Sequence, residues 1–513
     1  MLKESILGKL LIAVFALFKT FNSTFTYKVL SGIKNFIVRI FKGSFIYRIL
    51  KKEDNIQNYA KRSGMLKFID RTLIGIITFF SSIYKKLRKI NIGSLNNRIY
   101  NFFNKKSYFS FQNILAFTIV LITIVPGNKW NNLYGLILAV LMLGLYFVTL
   151  ISGKAFSYRT AKFDFIMLIF MFASVMGVLV SYAVADSIRV FMFFVTSFIF
   201  MITISGSVKT KEELHKFVGI ISIGLILTSL YCIYQGIVGV EIDVRLTDIS
   251  TNQGMPGRAY STFENPNNYA EYLVMFMPFL AAFALNQKSK GKKVIFLFAL
   301  MIPFAALLYT YSRSCWVSFA ISFLVFICFY NYRLIPLMLL LGFMMIPFLP
   351  ETIINRISTI GSMKDTSNKY RILIWEGVLK MLKGTFVTGI GLGPEAFNKL
   401  YPSYADASAV LAPHSHMLFM QVLTEMGLLG FISFLSYWVM TLKRLVTTKI
   451  RYKLPYEMKN YVCASLASFT GVIFVSGVEY IWFYPRVMIS FFVMVGIIMA
   501  TLKISKKCDE IKD

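Results

Sequence analysis

The sequence predicts an all-α integral membrane protein with about 12 transmembrane helices. Three observations predict it. First, 57% of the 513 residues are hydrophobic and 15% are charged. A soluble chain is nearer half apolar and a quarter charged, so the excess apolar surface needs lipid around it. Second, apolar runs of roughly the 18 to 20 residues that cross a bilayer succeed one another along the chain. Third, the connections between these runs alternate between rich and poor in Lys and Arg, the pattern left by the positive-inside rule.

The net charge of +31 fits this class too. The basic residues stand between apolar spans, where anionic headgroups and inward loops account for them, so no nucleic-acid partner is expected. Cys232, Cys315, Cys328, Cys463 and Cys508 show neither metal-ligand spacing nor a disulfide framework. They read as small packing residues within spans.

Residues 1–110 form a basic N-terminal region. It holds 21 Lys and Arg against 4 Asp and Glu, an excess of 17 out of the +31 of the whole chain. Its apolar stretches, 6–18 and 73–84, are short and flanked by Lys and Arg, which suits helices lying in the cytoplasmic interface. No small-residue cleavage site follows the first, so a signal peptide is not expected. The polytopic domain is 111–505, with spans at 111–126, 132–152, 163–185, 187–205, 215–237, 269–286, 293–311, 314–330, 333–350, 416–442, 462–481 and 486–503. The basic connections follow every second span, as with Lys288, Lys290, Lys292 and Lys293 after the sixth. Both termini, including a tail at 506–513, are therefore expected in the cytoplasm. Two outward loops stand out by length, 238–268 and 351–415, and long ordered loops usually carry function. No internal repeat of the transporter kind is visible.

An outward face should be poor in arginine, yet this one holds Arg245, Arg258, Arg313, Arg356, Arg371 and Arg486. Arg313 sits in Tyr311-Ser312-Arg313-Ser314-Cys315-Trp316, at the edge of hydrocarbon. There an arginine either snorkels or binds an anion, and its planar fork suits phosphate. Arg258 opens a segment ending in Asn265-Pro266-Asn267-Asn268, where Asn267 or Asn268 can cap the following helix. The chain has three histidines. His215 lies among lysines at an inner boundary, whereas His414 and His416 stand where the larger outer loop enters a span. An imidazole there could take a proton from a hydroxyl near neutral pH; belt packing is the alternative, and no third ligand completes a metal site. Glu425 falls inside the next span, where a carboxylate has either a function or a structural hydrogen bond. Gly389-Ile390-Gly391-Leu392-Gly393-Pro394 lacks the strand–turn–helix context of a phosphate loop. No Asp-x-Asp pair marks a nucleotide-sugar site, and sugar nucleotides are cytoplasmic, so a donor used on the outer face should be lipid-linked.

Four segments together resemble the O-antigen polymerase and O-antigen ligase superfamily of bacterial membrane glycosyltransferases. They are the stretch from Arg258 through Asn267 to Ala270, the Tyr311–Trp316 turn, Tyr370-Arg371 to Trp375 with the glycine segment that follows, and His414 to Gly430. The resemblance covers roughly 240–480 by motif and 111–505 by topology, and leaves out 1–110. It implies a fold of the membrane glycosyltransferase C type, no cofactor and no metal. The implied donor is an oligosaccharide on undecaprenyl pyrophosphate, with a glycan acceptor and membrane lipids as further partners. A flippase and a chain-length regulator of the same pathway would be associated proteins. Arg258, Arg313 and Arg371 would hold the pyrophosphate, with Arg245 and Asn267 beside them. His416, eleven residues before Gly427, matches the motif histidine that positions or deprotonates the acceptor. Met417 departs from the residue usual after that histidine, so His414 stays a second candidate, with Glu425 in support.

The expected function is polymerisation of lipid-linked repeat units by a metal-independent glycosyltransferase on the outer face of a bacterial cytoplasmic membrane. The alternative is ligase-type transfer of finished glycan to a lipid or protein. A flippase or exporter would place charge along the midplane and repeat its halves, whereas here charge gathers at one rim.

Overall fold

In a computed structural model of the chain, the described residues are 64–89, 110–152, 165–242, 256–361 and 366–510, with Gly32 and Arg39 besides. Contacts divide the chain into Met1–Asn55 and Ile56–Asp513, and the second unit holds everything that follows. The expected interfacial stretch at 6–18 and the candidate Arg245 lie outside the described residues. No strand occurs among the described residues.

The helices are α1 (Gly64–Lys89), α2 (Phe111–Ile124), α3 (Asn132–Ser152), α4 (Phe165–Leu179), α5 (Val184–Ser207), α6 (Lys211–Val238), α7 (Pro266–Leu285), α8 (Lys290–Ala299) and α9 (Met301–Tyr309). They continue with α10 (Arg313–Asn331), α11 (Ile335–Met345), α12 (Glu351–Ser358), α13 (Thr366–Thr385), α14 (Pro394–Leu400), α15 (Leu418–Arg451), α16 (Tyr456–Ser476) and α17 (Pro485–Glu510). Each of the expected spans has a helix at its place. Among the described residues, nine candidate spans are long and apolar enough to cross a membrane. The chain is a multi-pass membrane protein.

The differences from expectation have local causes. α2 and α4 have 14 and 15 residues. At 1.5 Å per residue that is about 22 Å, short of the roughly 30 Å hydrocarbon core. α2 stops at Val125 because Pro126 follows and disfavours helical backbone before it. α4 stops because the next turn is held from outside, Tyr182 N donating to Ile390 O at 3.0 Å. The expected span at 293–311 is α8 and α9 joined at Leu300. Pro303 in the first turn of α9 has no N–H for the carbonyl four residues back, which breaks the helix there. The run Arg313–Met344 is apolar enough to read as one long span. Its ends show otherwise: Arg356 Nε donates to Tyr311 O at 3.2 Å, and Arg313 Nη1 to Thr359 O at 3.0 Å. α10 is 19 residues, about 28 Å, so α10 and α11 form a hairpin that returns the chain to its starting end.

α7, α16 and α17 are the most buried of the spans, with Tyr269, Tyr272, Phe276, Tyr461, Phe469 and Phe492 fully inside. α7 packs on α16, α16 on α10, and α5 on α17. Outer helices expose apolar side chains such as Leu133, Ile137 and Phe298, which lipid accommodates at no cost. α1 packs on the C-terminal end of α3, with Ser81 Oγ donating to Ile151 O at 3.3 Å and Phe80 edge-on to Phe147.

Candidate functional site

The candidate site is built from three outer turns and the start of one helix. The first turn precedes α7. Asn265 is the N-cap, its side chain accepting from Asn267 N at 2.9 Å. The cap was expected at Asn267 or Asn268. Pro266, with its fixed φ and missing N–H, takes the first helical position and so puts the cap at the residue just before it. Asn267 is thereby free to accept from Arg258 Nη2 at 2.5 Å. Arg258 also donates through Nε to Thr310 O at 2.9 Å, and Ala259 N bonds Tyr309 O. Arg258 therefore fastens the first turn to the second, residues 310–312, where Tyr311 has φ +50°. Arg313 and Arg356 tie α12 to the same turn through the bonds given above. Arg486 donates to Val125 O and Thr262 O, both at 2.8 Å, and stacks over Trp130 and Phe263. Burial, with Arg356 nearby, pulls the Arg258 guanidinium down to about 9, which still leaves it charged at pH 7.

The third turn, residues 412–417, carries the histidines. His416 has φ +51°. Its amide donates to His414 Nδ1 at 3.1 Å, and the two rings stand 4.2 Å apart. His414 is buried, packed on Phe483 and Tyr480. His416 is half-buried, and its Nδ1 is enclosed without a hydrogen-bond partner. Burial, reinforced by His416 and Arg371, holds the His414 pKa well below the ordinary imidazole value. For His416, burial is again the main cause; Glu479 opposes it, Arg371 assists it, and the value falls to about 4. Both are neutral at physiological pH.

Arg371, on α13, pairs with Glu479 in the turn between α16 and α17 at 2.6 Å, and Ser367 Oγ accepts from Arg371 Nη1 at 3.0 Å. Arg371 Nε is buried and has no partner. Glu479 Oε1 also accepts from Ser314 Oγ at 3.3 Å, and its main-chain carbonyl accepts from Leu418 N at 3.1 Å. Arg258, Arg313, Arg371, Glu479, His414 and His416 are thus gathered at one end of the bundle, within electrostatic reach of one another.

Glu425 sits behind this cluster. It accepts from Gln421 Nε2 at 2.9 Å, Gly393 N at 3.2 Å and Tyr480 OH at 3.2 Å. Gln421 Oε1 in turn accepts from Ser415 N at 2.8 Å. The carboxylate therefore holds the histidine turn from below, through Gln421 and Tyr480. It lies beside a break in α15 at Gly427, whose φ is +61°. The glycine segment fills that break: Ile390 N bonds Thr424 O at 2.9 Å, Gly391 N bonds Glu425 O at 3.1 Å, and Leu428 N bonds Val387 O at 3.2 Å. A Cβ on Gly389 would stand 2.6 Å from Glu425 O. Gly389 is there for backbone approach.

Sequence reasoning missed Glu479 and Glu271. Glu479 lies at the end of an apolar span, the signal that drew attention to Glu425. Glu271 is buried in α7 with Oε2 unpartnered. Among the described residues no group of three His, Cys, Asp or Glu side chains could hold a metal ion.

Residues 272–435 match a family model described as O-Antigen ligase. The matched stretch includes Arg313, Arg371, His414, His416 and Glu425, and excludes Arg258, Asn267 and Glu479. It supports a likeness of this stretch to the O-antigen ligase and polymerase superfamily. No curated protein matches the chain.

Proposed function

We propose that this O-antigen ligase-type protein is a polysaccharide polymerase of a bacterial cytoplasmic membrane. It takes the growing glycan from undecaprenyl pyrophosphate and moves it to an incoming lipid-linked repeat unit on the outer face. The observation that carries the reading is His416, neutral and half-buried with an unpartnered ring nitrogen, beside the Arg371–Glu479 pair. Glycosyl transfer from a diphosphate needs those two things together, a proton acceptor and a fixed cation at the leaving group.

In the proposed reaction an acceptor hydroxyl oxygen bonds to the anomeric carbon. The bond from that carbon to the phosphate oxygen breaks, and its electron pair leaves with the lipid diphosphate. The hydroxyl proton passes to the His416 imidazole. Arg371, with an uncommitted Nε–H, contacts the leaving group. Arg258 is committed to Thr310 and Asn267, so it contributes its charge and holds the turn. Arg313 adds charge on the side of α12. His414 is the less suited base, because its Nδ1 already accepts an amide and its ring is packed.

The test is glycan chain length on a gel, in cells lacking the native protein and complemented at matched expression. Wild type should restore a ladder, while Arg371→Ala and His416→Ala leave single repeat units. Long chains from both variants would remove the site assignment. The description of the matched family favours a second reading, ligase-type transfer of finished glycan. Under it, chains reach normal length without the protein and fail only to reach their final acceptor.

A further inference from the structure

Arg258, Arg313, Arg356 and Arg486 each donate to main-chain carbonyls, which tie turns together. Arg371 donates to a carboxylate, that of Glu479. The Arg371–Glu479 pair also joins two parts of the site that sequence holds far apart, the outer-loop helix α13 and the α16–α17 turn. Glu479 Oε1 accepts from Arg371 Nη2 at 2.6 Å, as an oxygen of a phosphate would. Glu479 therefore stands where an anionic ligand of Arg371 would bind.

We infer that Glu479 is a resting occupant of the diphosphate site, displaced from Arg371 by the donor's diphosphate and turned toward His416 when donor binds. This rests on the proposed function above, since it takes the diphosphate as the ligand of Arg371. Three observations make the exchange feasible. Glu479 Oε1 is already shared with Ser314 Oγ, so the displaced carboxylate keeps a donor. Arg371 Nε is buried without a partner, so the guanidinium holds unused donor capacity for the larger anion. Glu479 acts electrostatically on His416 from its present place, so once freed of Arg371 it becomes the counter-ion for the imidazolium formed by proton transfer. The exchange makes and breaks no covalent bond. Arg371 trades one anion for another, and the carboxylate retains its charge. Glu479 is thus a positioning residue: it keeps Arg371 in place before donor arrives and favours proton uptake by His416 afterwards.

The experiment is calorimetric titration of inorganic pyrophosphate into purified full-length protein in nanodiscs. Competition predicts that Glu479→Gln, which keeps the shape and removes the charge, binds pyrophosphate about tenfold more tightly than wild type. That factor corresponds to about 1.4 kcal/mol of relieved competition. Glu479→Asp keeps the charge but shortens the reach to Arg371, and should fall between the two; it also keeps the test open should the Gln variant not fold. A merely structural role for Glu479 predicts equal or weaker binding in both variants, and that result overturns the inference while leaving the diphosphate reading in place. No pyrophosphate binding by wild type or either variant would overturn the diphosphate reading itself.

Discussion

As the proposed base, His416 has to be neutral before proton transfer and charged after it, and its surroundings arrange the first condition. Burial lowers its pKa to about 4 against an ordinary 6.5. Between those values the unfolded chain binds more protons than the folded one, so stability rises with pH through that window and is fully present above 6.5. Two outcomes follow. The acid limb of kcat/KM should lie near pH 4, and the thermal midpoint should fall as pH drops from 6.5 toward 4; an acid limb at 6.5 would mean that His416 is not the base. The two histidines should also separate by mutation. His416→Ala is expected to lower transfer by about 10²–10⁴-fold with the unfolding midpoint held. His414→Ala removes the acceptor for the His416 amide, so it should lower both activity and midpoint. Paired turnover and melting measurements check this.

At the scale of elements, the decisive feature is the break in α15. A helix interrupted inside a span exposes carbonyls that lipid cannot satisfy. Here the 387–393 segment supplies the missing donors, and Glu425 joins the same point to Gln421 and Tyr480 beneath the histidine turn. The close approach excludes side chains at Gly427, where a Cβ would run into Val387 O. Gly427→Ala should therefore cost several kcal/mol, from steric clash and strained backbone together. Gly384, at the end of α13, has nothing within 4 Å of an added Cβ. Gly384→Ala should be neutral or stabilising by about 0.5–1 kcal/mol. Thermal unfolding of the two variants in detergent gives the comparison, and similar midpoints would show that the break is tolerant.

For the whole molecule, orientation carries the functional reading. The alternation of basic connections predicts a cytoplasmic turn at Ser289 and an external turn at Ala407, and both residues are exposed. In a Cys328→Ser background, Ala407→Cys should react with a membrane-impermeant thiol reagent in intact cells. Ser289→Cys should react only after permeabilisation. The reverse pattern would put the arginine cluster inside and end the proposal for an outer-face donor. α1 belongs to the same scale. It packs on the end of α3 that leads to the basic 153–162 connection, and its exposed Phe68 and Phe79 lie among Lys67, Arg71 and Lys86. That is the composition of a helix lying on an anionic leaflet.

The helices were legible in the chain because hydrocarbon imposes a length and a composition on anything that crosses it, and both are one-dimensional quantities. Arg258, Arg313, Arg371 and the two histidines stood out as candidates for a related reason: polar residues at an apolar boundary are expensive, so their presence asks for a cause. What each one touches depended on three-dimensional closure. Asn267, expected with Asn268 as a cap, instead meets Arg258; that contact, the return of α11 toward Tyr311, and the packing of the glycine segment into α15 join separate stretches of chain. Glu479 shows the difference most clearly. It lies 108 positions from Arg371 in sequence and 2.6 Å from it in space, and no periodicity or motif spacing encodes a contact that exists only once the helices have packed.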